Sequence, residues 1–235
     1  MAKELILHDT ATGKYWLPDA EKDWVIETIL LGRIWDWDLV NYIERRICPG
    51  DTILDIGANF GQMAVLFSKM VGYDGSVHSF EADPFIHSVL EKNVRENNCS
   101  NVTAHCMAVW DKDGEEIYYP EPDLEKFDCY GQYGIDPTAN TGQRLIGTTI
   151  DSLNLQRVDL MKIDVQGSDL RAMKGAVDTI NRCKPIVIFE FEPMLTEKFG
   201  VTEHDYVQFM YSINYRQTHN IDFNIIMEPV QYHSG

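Results

Sequence analysis

Four acidic positions and one glycine turn carry most of the chemistry that this sequence offers. In Thr52-Ile53-Leu54-Asp55-Ile56-Gly57-Ala58-Asn59-Phe60-Gly61 an apolar strand runs into a turn with two glycines and then into a helix, and such glycines let a ligand lie against bare backbone. The next strand, Val77-His78-Ser79-Phe80-Glu81, ends in a carboxylate twenty positions after Gly61, where an acid can accept both hydroxyls of a ribose. Gly57 and Gly61 stand four apart and position 59 is asparagine, so the dinucleotide fingerprint GxGxxG is not met. A phosphate-cradling GxxxxGK loop followed by Ser or Thr is also missing, which leaves an adenosine without phosphates as the ligand that fits.

Asp164 ends the apolar run 160–165, and Phe189-Glu190-Phe191-Glu192-Pro193 ends the next one. Ligands of open α/β sheets bind at such strand ends, so Asp164 is the first candidate for a base or for a ligand to a helper metal. Glu190 and Glu192 lie two apart and project to one side of an extended chain, where they can orient hydroxyls, assist the base or join Asp164 around Mg²⁺ or Mn²⁺. A metal is not the favoured reading, because acids gather at strand ends for other reasons too. The alternatives are a helix cap for Asp164 and a solvated strand end for the two glutamates. Lys162 is expected to point to the opposite side of the strand and to neutralise a buried carboxylate.

The pattern Asp-x-Gly-x-x-x-Gly with a downstream acid resembles the first two motifs of class I methyltransferases. That resemblance implies S-adenosylmethionine as cofactor, with Gly57, Ala58, Asn59 and Gly61 around its methionine portion and Glu81 with Ala82 at the ribose. It also implies Asp55 facing the amino group, and backbone near Met107 and Ala108 reading the adenine. Asp55 as a turn carboxylate and Met107 or Val109 as plain core are the alternatives. A second resemblance is narrower. Met161-Lys162-Ile163-Asp164-Val165-Gln166-Gly167, then Leu170 and Met173-Lys174-Gly175-Ala176, is similar to the KIDVEG and LKGA blocks of FkbM-type methyltransferases, and DIGANFG matches the same family. The likeness spans residues 50–193 with three blocks in order. Members are mostly O-methyltransferases acting on sugars of glycolipids, polysaccharides, glycans and macrolides, which implies a carbohydrate or glycoconjugate hydroxyl as acceptor. Position 166 departs from the pattern, being glutamine where the family usually has glutamate, and a neutral amide is neither base nor charged metal ligand.

The elements around these residues alternate. After residue 50 the order is strand 52–56, helix 61–70, strand 76–80, helix 84–97 and strand 102–109, then, after an interval, strand 160–165, helix 168–182 and strand 185–189. Strands alternating with helices predict a mostly parallel, seven-stranded, Rossmann-like sheet covered on both faces. Residues 4–17 read as a hairpin and 21–31 and 36–47 as helices, an addition before the core. A helix over 204–212 and a strand over 223–227 at the sheet edge complete the chain. The interval 111–147 reads as an inserted hairpin and irregular loop. Its segment 127–134 holds aromatic rings and amides suited to sugar rings, or is a surface loop. Trp35-Asp36-Trp37 lines the acceptor side or packs the helices. The whole chain is expected to form one domain.

With 235 residues, such a domain buries roughly 70–75% of its unfolded surface without disulfide or metal staples. The formal charge of −17 repels phosphate backbones and anionic lipid, so nucleic acid is not an expected partner. Five scattered cysteines form no CxxC pair or zinc spacing, no histidine pair has metal spacing, and no apolar run is long enough to span a bilayer or to act as a signal peptide. These features read as a cytoplasmic protein with reduced thiols. A nicotinamide-dependent oxidoreductase and a decayed adenosine-binding protein stand as the competing readings, the second supported by Gln166. Oligomeric state and the identity of the sugar are not legible.

Overall fold

The computed structural model describes residues 4–19, 23–119 and 130–230. A hairpin of β1 (Leu5–Asp9) and β2 (Lys14–Pro18) leads into α1 (Trp24–Leu30) and α2 (Trp37–Glu44). The core then runs β3 (Thr52–Ile56), α3 (Gln62–Val71), β4 (Ser76–Glu81), α4 (Pro84–Glu96), β5 (Val102–Cys106), β6 (Ala108–Val109), β7 (Glu116–Tyr119) and β8 (Gln143–Thr148). It continues with β9 (Leu160–Ile163), α5 (Asp169–Lys174), α6 (Val177–Cys183), β10 (Ile186–Glu190), α7 (Pro193–Thr196), α8 (Glu203–Ser212), β11 (Tyr215–Ile221) and β12 (Asn224–Pro229).

Seven strands form the main sheet in the order β11-β12-β10-β9-β3-β4-β5. The pairs from β10 to β5 are parallel, and β12 runs antiparallel to both β10 and β11. Parallel strands are covered on both faces and so read as unbroken apolar runs, and β3 and β9 are buried along their whole length. Alternate residues feed opposite layers. Leu54, Ile56, Met161 and Ile163 pack with Leu170, Met173 and Ile180, while Ile53, Val77, Leu160 and Ile188 pack with Leu39, Ile43 and Phe67. The chain leaves β3 in one direction, through β4 and β5, and returns to its other side at β9. The strand order therefore reverses between β3 and β9, and open α/β sheets bind ligands at such a point.

Four expectations need correction. The strand 102–109 is two strands. The Met107 amide turns to donate to the Glu81 carbonyl (2.9 Å), and β6 then leaves the main sheet to pair with β8 in a three-stranded sheet. The helix 168–182 breaks at Gly175, where the Trp110 carbonyl occupies the place of a Cβ and leaves room for glycine alone, and the Asp151 carboxylate caps α6 through the amides of Asp178 and Thr179. The last strand is internal: Tyr215–Ile221, too polar to read as a strand, covers its open side. Gln143–Thr148 adds a strand within the stretch that reads as irregular. Segment 120–129 and the tip of the predicted first helix lie outside the described residues.

Buried amides tie the amino-terminal addition to the core. Asn93 of α4 is fully buried, accepts from the Trp16 amide (2.6 Å), and donates to the Trp16 and Phe60 carbonyls. One turn later Asn97 makes the same two-way contact with Lys14. The hairpin is thus docked through backbone groups that its own ladder leaves unpaired. Among the described residues no helix is long and apolar enough to cross a membrane.

Candidate active site

The turn after β3 is drawn in from both sides. The Gly57 and Ala58 amides both donate to the Phe80 carbonyl at 2.9 Å. Gly57 has φ 88°, and a Cβ on it would overlap the backbone carbonyl oxygen of Asp164. Gly61 also has φ 88°, with Leu90 Cδ1 2.5 Å from where its Cβ would lie. Both glycines are therefore demanded by left-handed backbone and by the approach of neighbouring elements. Both also line the cavity described below, as the sequence reading expects of a turn that borders a ligand.

Glu81, at the tip of β4, is 8% exposed. One carboxylate oxygen accepts from the Asn59 amide (3.0 Å) and the other from the Asp83 amide (2.9 Å), so the side chain is pinned to the turn. Each oxygen keeps a lone pair for a ligand. Burial pushes its pKa up to about 7 against the pull of those amides.

At the ends of β9 and β10 the acids form a graded set. Lys162 is 2% exposed, with its ammonium 3.2 Å from Asp164 Oδ2. Residues two apart on a strand share a side, so Lys162 points the same way as Asp164 rather than opposite to it. The Gln166 amide donates to Asp164 Oδ1 at 3.1 Å. Burial works against the Asp164 charge, but Lys162 together with hydrogen bonds from Glu190, Lys162 and Gln166 outweighs it, and the carboxyl is held below its usual range. Glu190 shifts the other way, through burial and then the Asp164 charge. The pair therefore holds its proton on Glu190 and its charge on Asp164. Glu192 is raised by burial and by Asp164.

Asp55 is placed differently from the other acids. It is fully buried, stands in register with Lys162, and neither of its oxygens has a hydrogen-bond partner among the described residues. It lies beneath the cavity rather than on its wall, and burial lifts its pKa to about 6. The structure thus does not bring Asp55 together with the other predicted cofactor residues on the cavity surface.

Those others share one cavity of about 470 Å³. Gly57, Ala58, Asn59 and Gly61, with Glu81, Ala82, Met107 and Ala108, line it together with Asp164, Glu190 and Glu192. Trp24, Trp35, Tyr130, Gly131, Tyr133 and Gly134 complete the wall, Tyr130 packing on Phe60 and Tyr133 on the cluster that holds Ala108, so the part of segment 127–134 that is described does reach the cavity. Trp37 is 56% exposed and off the wall, and Trp16 lies on the far side against Glu96 and Lys92. Phe127, Asp128 and Cys129 lie outside the described residues.

Three polar residues that sequence reasoning missed build this wall. Asp23 caps α1 through the Ile26 amide (2.9 Å), and its other oxygen takes the Tyr130 amide (2.7 Å), joining helix to loop. Gln62 accepts from the Trp35 amide (2.9 Å) and donates to the Arg33 carbonyl (2.8 Å), fixing the α1–α2 connection beside the glycine turn. Asp169, fully buried, takes the Gly167 amide (3.1 Å) and holds the turn after Asp164. An acid before an apolar periodic stretch signals the Asp23 cap; nothing local signals the other two.

The donor set fits S-adenosylmethionine. The one cation on the wall among the described residues is Lys162, which is engaged by Asp164, so nothing there is free to receive phosphate. Glu81 offers paired acceptors to a ribose. Among the described residues no group of three or more His, Cys, Asp or Glu is placed to hold a metal ion.

The sequence profile described as the Methyltransferase FkbM domain matches residues 55–217, most of the core. The chain belongs to the FkbM methyltransferase family. The 31-O-demethyl-FK506 methyltransferase FkbM of Streptomyces tacrolimicus is 26% identical over 166 residues, covering 58% of this chain and 62% of that protein. Methyltransferase 1 of Beauveria bassiana is 26% identical over 153 residues, 55% of this chain and 60% of its own length. This FkbM-family chain thus spans at most about 60% of the length of these curated relatives. Among solved structures, an FkbM methyltransferase from Methylobacillus flagellatus superposes with TM-score 0.53 at 15% identity over 80% of this chain and 49% of that one. A SAM-dependent O-methyltransferase from Thermotoga maritima gives 0.52 at 11% identity over 100% and 89%. The fold is the Rossmann-like fold of class I methyltransferases, and membership of this methyltransferase family makes S-adenosylmethionine the expected methyl donor.

Proposed function

We propose that this enzyme moves the methyl group of S-adenosylmethionine to a hydroxyl of a sugar in a glycan, glycolipid or glycosylated natural product. The observation that carries the reading is Asp164, a carboxylate of lowered pKa braced by Lys162, Gln166 and Glu190 on the wall of the same cavity that Glu81 and the aromatic side chains line. S-adenosylmethionine supplies an electrophilic methyl on a positively charged sulfur. Gly57 to Gly61 and Glu81 hold its methionine and ribose portions, and Ala82, Met107 and Ala108 border its base. Asp164 takes the hydroxyl proton. A carboxylate of lowered pKa is a weak base, but it suffices when proton transfer runs late, because an oxygen that is gaining a methyl becomes strongly acidic. Protonated Glu190 donates to Asp164, and Glu192 orients the acceptor's other hydroxyls.

Tyr130, Tyr133, Trp24 and Trp35 line the cavity and offer the acceptor flat apolar faces on which sugar rings stack. The Streptomyces tacrolimicus relative, whose substrate is 31-O-demethyl-FK506, supports oxygen as the accepting atom. In this reading residues 1–235 form one methyltransferase domain in which α1 and Trp35 of the amino-terminal addition wall the acceptor side, working in the cytoplasm, where thiols such as Cys48 and Cys106 stay reduced. Incubation with labelled methyl donor and a panel of free, lipid-linked and polymeric sugars is expected to give methyl ethers on one class. Label that reaches only nitrogen, carbon or carboxyl acceptors would overturn the reading.

A further inference from the structure

Asp164 is braced by three donors, and two of them, Lys162 and Glu190, are titratable. The third, Gln166, adds a hydrogen bond without adding a charge or a proton of its own. Its backbone lies in the left-handed region at φ 54°, in a turn held by Asp169 through the Gly167 amide and by the Tyr206 hydroxyl, which donates to the Gly167 carbonyl at 3.1 Å. On its other side rests the segment 130–135. A Cβ on Gly134 would stand 2.6 Å from Gln166 Cβ and 3.2 Å from the Gln166 carbonyl oxygen, so this wall of the cavity sits on Gln166 only because residue 134 has no side chain.

We propose that Gln166 is a positioning residue: it fixes which face of Asp164 is open to the acceptor hydroxyl, and it couples that face to the seat of segment 130–135. The inference rests on Asp164 as the proton acceptor and adds the part that aims it. Asp164 Oδ1 gives one lone pair to Gln166, and Oδ2 is engaged by Lys162, so the open lone pair of Oδ1 is directed by where the amide lies. The charged and titratable groups that face Asp164 are Lys162 on its own strand, Glu190 and Glu192 at the end of β10, Asp169 on α5, Asp55 on β3, and Asp36 before α2 with Asp222 behind it. Most of these favour protonation of Asp164. Loss of the amide therefore raises its midpoint, by about one unit for one hydrogen bond to a charged group.

The test is a carboxyl-carbon NMR titration of the full chain labelled in Asp and Glu, with the Asp164 signal assigned by its disappearance in Asp164→Asn. Gln166→Ala is expected to raise the Asp164 midpoint by about one unit. Gln166→Glu, close in shape, is expected to raise it at least as far by bringing a like charge. Gly134→Ala alters no polar atom and is expected to raise it by a smaller, measurable amount, because the added methyl displaces Gln166. Thermal unfolding reports that each variant is folded. An unmoved midpoint in folded Gln166→Glu or Gln166→Ala overturns the positioning role, and an unmoved midpoint in Gly134→Ala overturns the coupling. These titrations need no acceptor. Shifts seen while no hydroxyl acceptor is ever methylated would count against the sugar reading alone, and intact transfer with unmoved midpoints would count against Gln166 alone.

Discussion

The two halves of the cavity are built by different means. The glycine-turn wall, where the proposed function puts the cofactor, is backbone pinned by backbone: Gly57 beneath the Asp164 carbonyl, two amides on Phe80, and Glu81 held by the amides of Asn59 and Asp83. The wall that the proposed function gives to the acceptor is made of side chains from distant parts of the chain, joined by single polar anchors such as Asp23 to Tyr130 and Gln62 to Trp35. A half whose atoms are set by main-chain geometry tolerates little substitution and presents one ligand. A half assembled from side chains can be rebuilt without disturbing the sheet, which is how one fold serves many acceptors.

That contrast can be broken where the halves meet. Asp164→Asn keeps the shape and removes the proton acceptor, and it is expected to lower transfer by about 10²–10⁴-fold while the dissociation constant for S-adenosylmethionine moves by less than about threefold. Measuring turnover with labelled donor and binding by calorimetry on the same preparation checks both. Full turnover would remove Asp164 from the chemistry.

On the cofactor side, Gly57→Ala is expected to destabilise the fold by roughly 2–4 kcal/mol, from strained φ and overlap with the Asp164 carbonyl. Unfolding midpoints should show it, and unaltered stability would contradict the crowding described. Glu81→Gln is expected to weaken S-adenosylmethionine by about 10-fold or more. The pH dependence has a definite sign. Glu81 is held near 7 when the site is empty, and ribose hydroxyls favour its ionised form, so binding releases a proton and tightens as pH rises from 6 to 8. The Gln variant should lose that slope.

The acceptor side should respond more gently. Trp24→Ala is expected to raise the acceptor KM by about 3–10-fold with the cofactor dissociation constant unchanged, because Trp24 is 56% exposed and loses only part of its contact area. A change confined to cofactor affinity would place Trp24 in the wrong half.

The same contrast explains what the sequence disclosed. The glycine turn, the acid twenty positions on and the apolar strands are local patterns, and each is legible because backbone requirements select residue types: glycine for positive φ, unbroken apolar runs for a doubly covered sheet. Of the rest of the wall, Trp35 and the rings of segment 130–134 were legible by composition, but the anchors that hold them were not. Asp23 and Tyr130 are far apart in the chain, as are Gln62 and Trp35, and a hydrogen bond between them leaves no periodicity. β11 escaped notice because its sequence, YRQTHNI, covers an edge and stays half exposed. At the break, Gly175 is demanded by the Trp110 carbonyl and α6 is capped by the distant Asp151, which no helical pattern reveals. Asp55 read as a cofactor residue because it ends the right strand, and only the fold shows it facing Lys162 under the floor.

The central claim is that one cavity holds the cofactor by Glu81 and presents its reactive end to Asp164. A crystal structure of the chain with S-adenosylhomocysteine tests it most directly. The account predicts both ribose hydroxyls on the Glu81 carboxylate, the sulfur turned toward Asp164, and Trp24 and Tyr130 bordering the space beyond. A ribose bound away from Glu81, or a sulfur facing away from Asp164, would contradict it.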